Sequence, residues 1–144
     1  MFLYSCGTDG ILYQWKMIDG GRNEIVPKGP ILNSVAKSND DKIFVVINDK
    51  RSLVEHSFQE GNEKRVEGEH IYGEVVLTKS NKMIFCGLTE DETNPINSSV
   101  KCFRNPPTNY CDTFTAHNEL GIQKLRVTHD DNYLVSAGKD GTVC

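Results

Sequence analysis

Short stretches of alternating apolar and polar residues, separated by polar turns, run along the whole 144-residue chain. Runs of five or six residues with this period are typical of half-buried β-strands. Near the start, two such runs flank Thr8-Asp9-Gly10. Asp-Gly between alternating runs is a strong hairpin signal, because glycine accepts a positive φ and aspartate bonds its own backbone. The pattern predicts strands joined by turns and no convincing helix.

The arrangement of strand, polar turn and second strand recurs three times further along the chain. The three pairs are predicted at residues 31–38 and 43 onward, 74–79 and 83 onward, and 122–128 and 133 onward. Each second strand is rich in Val, Ile, Phe or Leu, as expected for strands that face a core. Additional strands are predicted at residues 11–17, 52–58, 99–104 and 110–115.

An internal repeat accounts for this recurrence. Residues 3–12 read LYSCGTDGIL and residues 134–143 read LVSAGKDGTV, with Leu, Ser, Gly, Asp and Gly matching in register. Two weaker copies lie between them, IFVVIND at 43–49 and MIFCG at 83–87. Asp49 follows Asp9 by 40 residues. About four short strands in every 40–45 residues are typical of a β-propeller blade.

The predicted fold is therefore all-β, a partial propeller of about three and a half four-stranded antiparallel blades that does not close a ring. We predict a partial blade at residues 1–27, a blade at 28–69, a blade at 70–115 and a partial blade at 116–144. The third unit contains a polar loop insertion at 88–97. Unpaired sheet edges are an aggregation hazard. We expect the remaining blades to lie on another chain or to be missing. We also expect the first and last blades to pair with neighbouring chains or to be poorly ordered.

The repeats resemble those of the WD40 family. Many WD40 blades carry a buried network: a His before the first strand, a Ser or Thr in the second, an Asp in the next turn and a Trp in the third. The resemblance implies this role for Ser5, Asp9 and Trp15 in the first repeat, Asp49 in the second, and His117, Ser136 and Asp140 in the last. The Trp position holds roughly His56 in the second repeat and Phe103 in the third, so those blades must depend more on apolar packing.

Composition and charge exclude several classes of partner. The net charge is −4 and the cationic residues are scattered, so we expect no nucleic-acid partner and no membrane partner. No apolar run approaches the roughly 18 residues that span a bilayer. The five cysteines are odd in number and lack a C-x-x-C spacing, which argues against a disulfide framework or zinc site and favours a reducing cytosol.

Residues that could carry chemistry are sparse, and we predict neither an enzyme nor a cofactor. The four histidines show no metal-binding spacing. Glu90, Asp91 and Glu92 form a carboxylate cluster in the insertion, without the alternating ligands and glycine of a calcium loop. This cluster is either a contact for a basic protein partner or a solvated loop. Residues 7–10 are too short for a phosphate-binding loop and precede a strand.

The succession of divergent blades, ending in AHNELGIQKLRVTHDDNYLVSAGKDGTV, resembles large WD-repeat proteins of motile cilia and flagella. This resemblance implies a non-catalytic scaffold of the cytoskeleton, located in the axoneme. The implied partners are inner dynein arms, their regulators and proteins associated with the doublet microtubules. A general WD40 adaptor outside cilia, such as a ubiquitin-ligase substrate receptor or a trafficking scaffold, is the alternative.

Overall fold

A computed structural model describes most of the chain and shows only β-structure there. The described residues are 1–26, 28–48, 52–57, 62–67, 72–88, 99–107, 110–117 and 121–144. Within these ranges every regular element is a strand and none is a helix. No membrane-spanning helix occurs in the part of the chain that the structure describes.

The strands form four antiparallel sheets in which neighbours along the chain are neighbours in space. The first sheet contains β1 (Phe2–Cys6), β2 (Leu12–Lys16) and β3 (Arg22–Val26). The second contains β4 (Leu32–Lys37), β5 (Ile43–Asn48), β6 (Ser52–Ser57) and β7 (Glu63–Glu67). The third contains β8 (Tyr72–Leu77), β9 (Met83–Leu88), β10 (Ser99–Arg104) and β11 (Tyr110–Thr115). The fourth contains β12 (Ile122–Val127) and β13 (Leu134–Gly138), with a bridge from Ala137 to Val143.

Two outer strands, β3 and β7, were not among the predicted strands. Their sequences are RNEIV and EKRVE, and most of their side chains are exposed. Charged and polar residues predominate in both strands, so the alternation of apolar and polar positions is weak. Ile25 and Val26 of β3 pack against the first apolar layer, and Val66 of β7 packs against the layer between the second and third sheets.

Apolar layers between successive sheets hold the sheets face to face. Leu12, Leu32 and Val54 fill the first layer, and Val100, Ile122 and Leu125 are the buried centre of the last. The middle layer is the largest and consists of Val45, Ile47, Leu53, Tyr72, Val75, Ile84, Cys86, Leu88 and Phe103. Each fully buried aliphatic or aromatic side chain contributes about 1.5–3 kcal/mol, so these layers dominate the stability of the stack.

The first strands of the second, third and fourth sheets share a β-bulge at one position. The pairing register shifts between Leu32 and Ser34, between Tyr72 and Glu74, and between Ile122 and Lys124. A bulge redirects the side chain that follows it. Ser34, Glu74 and Lys124 consequently occupy equivalent positions on β4, β8 and β12, which lie side by side.

Glu74 joins these three strands through its carboxylate. The side chain is only 10% exposed, and Oε2 accepts a hydrogen bond from Lys124 Nζ at 3.1 Å. Oε1 accepts one from Arg126 Nη1 at 3.1 Å. The Ser34 hydroxyl lies 3.5 Å from Oε2 and accepts the backbone N–H of Val75 at 3.3 Å. The bulged positions therefore form a polar connection across the inner strands.

Candidate functional site

A hydrogen-bonded cluster around His117 ties together the fourth sheet. His117 precedes β12, Ser136 lies on β13, and Asp140 lies in the turn after it. The His117 side chain is 0% exposed, with Nε2 2.8 Å from Ser136 Oγ and Nδ1 3.2 Å from Asp140 Oδ1. A neutral imidazole protonated on Nδ1 is compatible with both contacts, because Nδ1–H donates toward the Asp140 carboxylate and Nε2 accepts from the Ser136 hydroxyl. The structure thus brings together all three residues proposed for the last repeat.

Thr142 is a fourth member of this cluster that sequence reasoning missed. Its hydroxyl donates to Asp140 Oδ1 at 2.8 Å and lies 2.8 Å from His117 Nδ1. Its backbone N–H also donates to Asp140 Oδ1, at 3.0 Å. A threonine two residues after the turn aspartate was the available signal, since aspartate commonly accepts the backbone N–H two residues on.

Gly138 is required by the close packing of the same cluster. A Cβ at this position would lie 2.5 Å from His117 Nδ1 and 2.6 Å from Asp140 Oδ1. No side chain fits at those distances. Steric crowding therefore explains why the repeat, which matches Gly7 with Gly138, keeps a glycine at position 138.

The first sheet brings Ser5 and Trp15 together. Trp15 Nε1 donates to Ser5 Oγ at 2.8 Å. The Asp9 carboxylate accepts the backbone N–H of Ile11 at 3.1 Å and so stabilises the hairpin turn, where Gly10 has a φ of 72°. A Cβ on Gly10 would also approach the backbone oxygen of Gly29 to 2.2 Å, which excludes larger residues.

The other predicted site residues are only partly described. Asp49, in the second repeat, and the acidic cluster Glu90, Asp91 and Glu92 lie outside the described residues. Asn48, next to Asp49, is buried, and its Oδ1 accepts the backbone N–H of Ser52 at 3.1 Å.

The two residues at the Trp position of the middle repeats have different environments. Phe103 is 2% exposed and makes edge-to-face contacts with Tyr72 and Tyr110. His56 Nδ1 lies 3.1 Å from Glu63 Oε1. Burial lowers the pKa of His56, and the negative charge of Glu63 opposes that shift. Apolar packing around Phe103 thus takes the place of a hydrogen-bonded tryptophan in the third sheet.

The described residues contain no group of three or more His, Cys, Asp or Glu side chains placed to hold a metal ion. Cys86 and Cys102 are buried, and burial raises the pKa of the Cys102 thiol to about 11. Burial raises the pKa of Cys86 as well, so both groups are protonated at neutral pH.

An apolar cleft of about 460 Å³ opens between the third and fourth sheets. Phe85, Val100 and Phe114 form one wall, and Tyr133 and Leu134 form the other. Phe114 is 45% exposed and Tyr133 is 69% exposed. Exposed aromatic side chains around a concave apolar surface are a common feature of protein-binding sites.

Comparison with known proteins agrees with this architecture. Residues 108–144 match the WD40 family model, described as WD domain, G-beta repeat. This segment spans β11 (Tyr110–Thr115), the His117 cluster and the fourth sheet. Together with the successive antiparallel sheets of the described residues, which do not close a ring, the match confirms the predicted all-β fold class and is consistent with a partial WD40 β-propeller.

Two curated relatives cover nearly the whole chain. The chain is 29% identical to cilia- and flagella-associated protein 57 C of Tetrahymena thermophila over 157 aligned positions. This alignment covers 99% of the chain. The chain is 28% identical over 140 positions to cilia- and flagella-associated protein 57 of Mus musculus, covering 96% of this chain. The predicted resemblance to ciliary WD-repeat proteins is confirmed. The chain spans only 12% and 11% of the lengths of these relatives.

Proposed function

We propose that this chain is a non-catalytic protein-interaction module of cilia or flagella. The observation that carries the proposal is the similarity, over 99% and 96% of the chain, to two proteins named for their association with cilia and flagella. The stacked sheets support it, because such a scaffold holds loops and strand edges in fixed positions for binding.

The finer proposal is a place in the axoneme, next to inner dynein arms, their regulators or proteins associated with the doublet microtubules. A rigid stack suits this task, since a dynein-positioning protein must hold its partners at fixed spacing. The acidic insertion remains a proposed contact for a basic partner through Glu90, Asp91 and Glu92.

We propose the apolar cleft between the third and fourth sheets as the main docking surface. We propose that further propeller strands occupy this cleft. Ser136 and Cys144 exchange two backbone hydrogen bonds of 2.9 Å. Because the backbone groups of a strand alternate in direction, the N–H and C=O of Leu134 face the same edge. An added strand could pair there and bury Phe114 and Tyr133. The remaining blades would then be supplied by another polypeptide or by another segment of a longer one.

Endogenous tagging and proximity labelling in ciliated cells that express the protein test this proposal. We expect axonemal localisation and labelling of inner dynein arm components. The Phe114→Asp variant, which changes the cleft, should reduce labelling of the partners. The control variant Ile18→Asp should leave labelling unchanged, because Ile18 lies in an exposed turn and is 86% accessible. Labelling of ubiquitin-ligase or trafficking subunits away from cilia would instead support the adaptor alternative.

A further inference from the structure

A second cleft, polar and of about 270 Å³, lies between the second and third sheets. Its walls are Glu55, Ser57, Asn62 and Lys64 from the second sheet and Asn81, Asn105 and Pro106 from turns of the third. Glu55 is 5% exposed. Since side chains alternate along a strand, Glu55 shares a face with Leu53, which packs in the core between these two sheets. The carboxylate is therefore directed toward the third sheet.

Two buried amide oxygens line the same cleft. The side-chain N–H of Asn105 donates to the backbone oxygen of Asn81 at 2.8 Å, which fixes the orientation of the Asn105 amide. Within the described ranges, neither Asn105 Oδ1 nor Asn81 Oδ1 has a hydrogen-bond partner, and both are buried. A buried acceptor without a donor costs free energy, so the cleft favours a ligand that supplies N–H groups.

The repeat itself shows what the turn position of Asn81 can bind. Asn81 and Asp131 occupy equivalent turns and share a positive φ, 59° and 58°. The Asp131 carboxylate accepts two adjacent backbone N–H groups of the neighbouring sheet, from Lys79 at 2.7 Å and Ser80 at 2.8 Å. A ligand with two N–H groups side by side would give Asn81 and its neighbours the same kind of contact.

We propose that this polar cleft binds the guanidinium group of an arginine side chain presented by a partner protein. Guanidinium carries five N–H donors in a planar fork and pairs well with a carboxylate and amide oxygens. A divalent cation is less suitable, because one carboxylate is a weak ligand set and Lys64 adds a positive charge. Glu55 and Lys64 are direct cross-strand partners, so Lys64 competes with the incoming arginine for the carboxylate.

Titration of the isotopically labelled 144-residue chain with N-acetyl-arginine amide tests the proposal by NMR. The side-chain amide signals of Asn81 and Asn105 should shift and saturate. The neutral analogue N-acetyl-citrulline amide should bind at least about tenfold more weakly, the loss of one charge-assisted contact. Glu55→Gln should weaken arginine binding by a similar factor. Lys64→Gln and Asn81→Asp should strengthen it, and Asp41→Asn, at the equivalent turn of the second sheet, should leave it unchanged.

The proposal is overturned if citrulline binds as well as arginine, or if Glu55→Gln has no effect in a chain whose spectrum is otherwise unchanged. It is also overturned if Ca²⁺ shifts the same signals and arginine does not, which would indicate a metal site. Absence of any shift would mean that the cleft holds only water, and it would overturn the proposal as well. None of these outcomes depends on ciliary localisation, so this proposal and the proposed function can fail separately.

Discussion

Replacing His117 by alanine removes the centre of the cluster that holds the fourth sheet. The bond between Nε2 and Ser136 Oγ, at 2.8 Å, is of the neutral type and contributes about 0.5–1.5 kcal/mol. The contact with Asp140, at 3.2 Å, is charge-assisted and contributes about 1.5–3 kcal/mol. We therefore expect a loss of about 2–4.5 kcal/mol in local stability, with a further contribution from the cavity that the ring leaves.

Hydrogen exchange measured by mass spectrometry is suited to this prediction, because it reports each sheet separately. A loss of about 2–4.5 kcal/mol corresponds to a fall of roughly 30- to 2,000-fold in the protection of β12 and β13 amides. Peptides from the first and second sheets should change much less. His129→Ala is the matched control: His129 is exposed in the neighbouring turn, and we expect a change within about 0.5 kcal/mol. Equal effects of the two variants would refute a structural role for the cluster.

Three further predictions follow from burial and close packing. Gly87→Ala places a Cβ 2.8 Å from Ile122 Cγ2, and overpacking should lower the free energy of unfolding by about 1–3 kcal/mol, measured by urea denaturation. Burial lowers the pKa of His56, so below about pH 6.5 the unfolded chain binds more protons than the folded chain. The free energy of unfolding should therefore fall on acidification from about pH 7.5 to about pH 5.5. This fall should be less steep in the His56→Gln variant. Iodoacetamide at about pH 7 should alkylate the exposed Cys111 well before the buried Cys86, and the reverse order by peptide mapping would contradict the packing of the third sheet.

The strand pairs next to the core were predictable from sequence because burial of one face imposes alternation. Residues 99–104 were predicted with the same bounds that the structure shows for β10, in which buried and half-buried side chains alternate. The outer strands Arg22–Val26 and Glu63–Glu67 escaped prediction because charged and polar residues predominate in them. The outer strand β11 (Tyr110–Thr115) is equally exposed but was predicted with the correct bounds, because its Tyr, Phe and Thr residues favour strands. An exposed edge strand is therefore predictable only when its residue types favour strands.

The candidate residues divide in a similar way. The resemblance to WD40 repeats singled out His117, Ser136 and Asp140, which lie together in the structure. It gave no sign of Glu74, because an isolated glutamate in a strand is usually solvated. Its partners Lys124 and Arg126 are 50 and 52 residues away in sequence and reach its carboxylate only once β12 lies beside β8.

The polar cleft was also beyond sequence reasoning. It depends on two turns, around Asn81 and Asn105, that meet only when the third sheet has formed. Residue type alone marks such asparagines as turn formers. Their buried oxygens become a binding feature once Glu55, from the second sheet, is placed opposite them.

Electron cryo-microscopy of isolated axonemes, where we propose that the protein lies, can show whether its sheets pack as successive propeller blades. We expect density for blades packed side by side, with β4, β8 and β12 as neighbouring first strands. We also expect added strands along β13 that fill the apolar cleft of about 460 Å³. Density in which these sheets are separated from one another, or in which the cleft faces solvent in the assembled axoneme, would contradict the account.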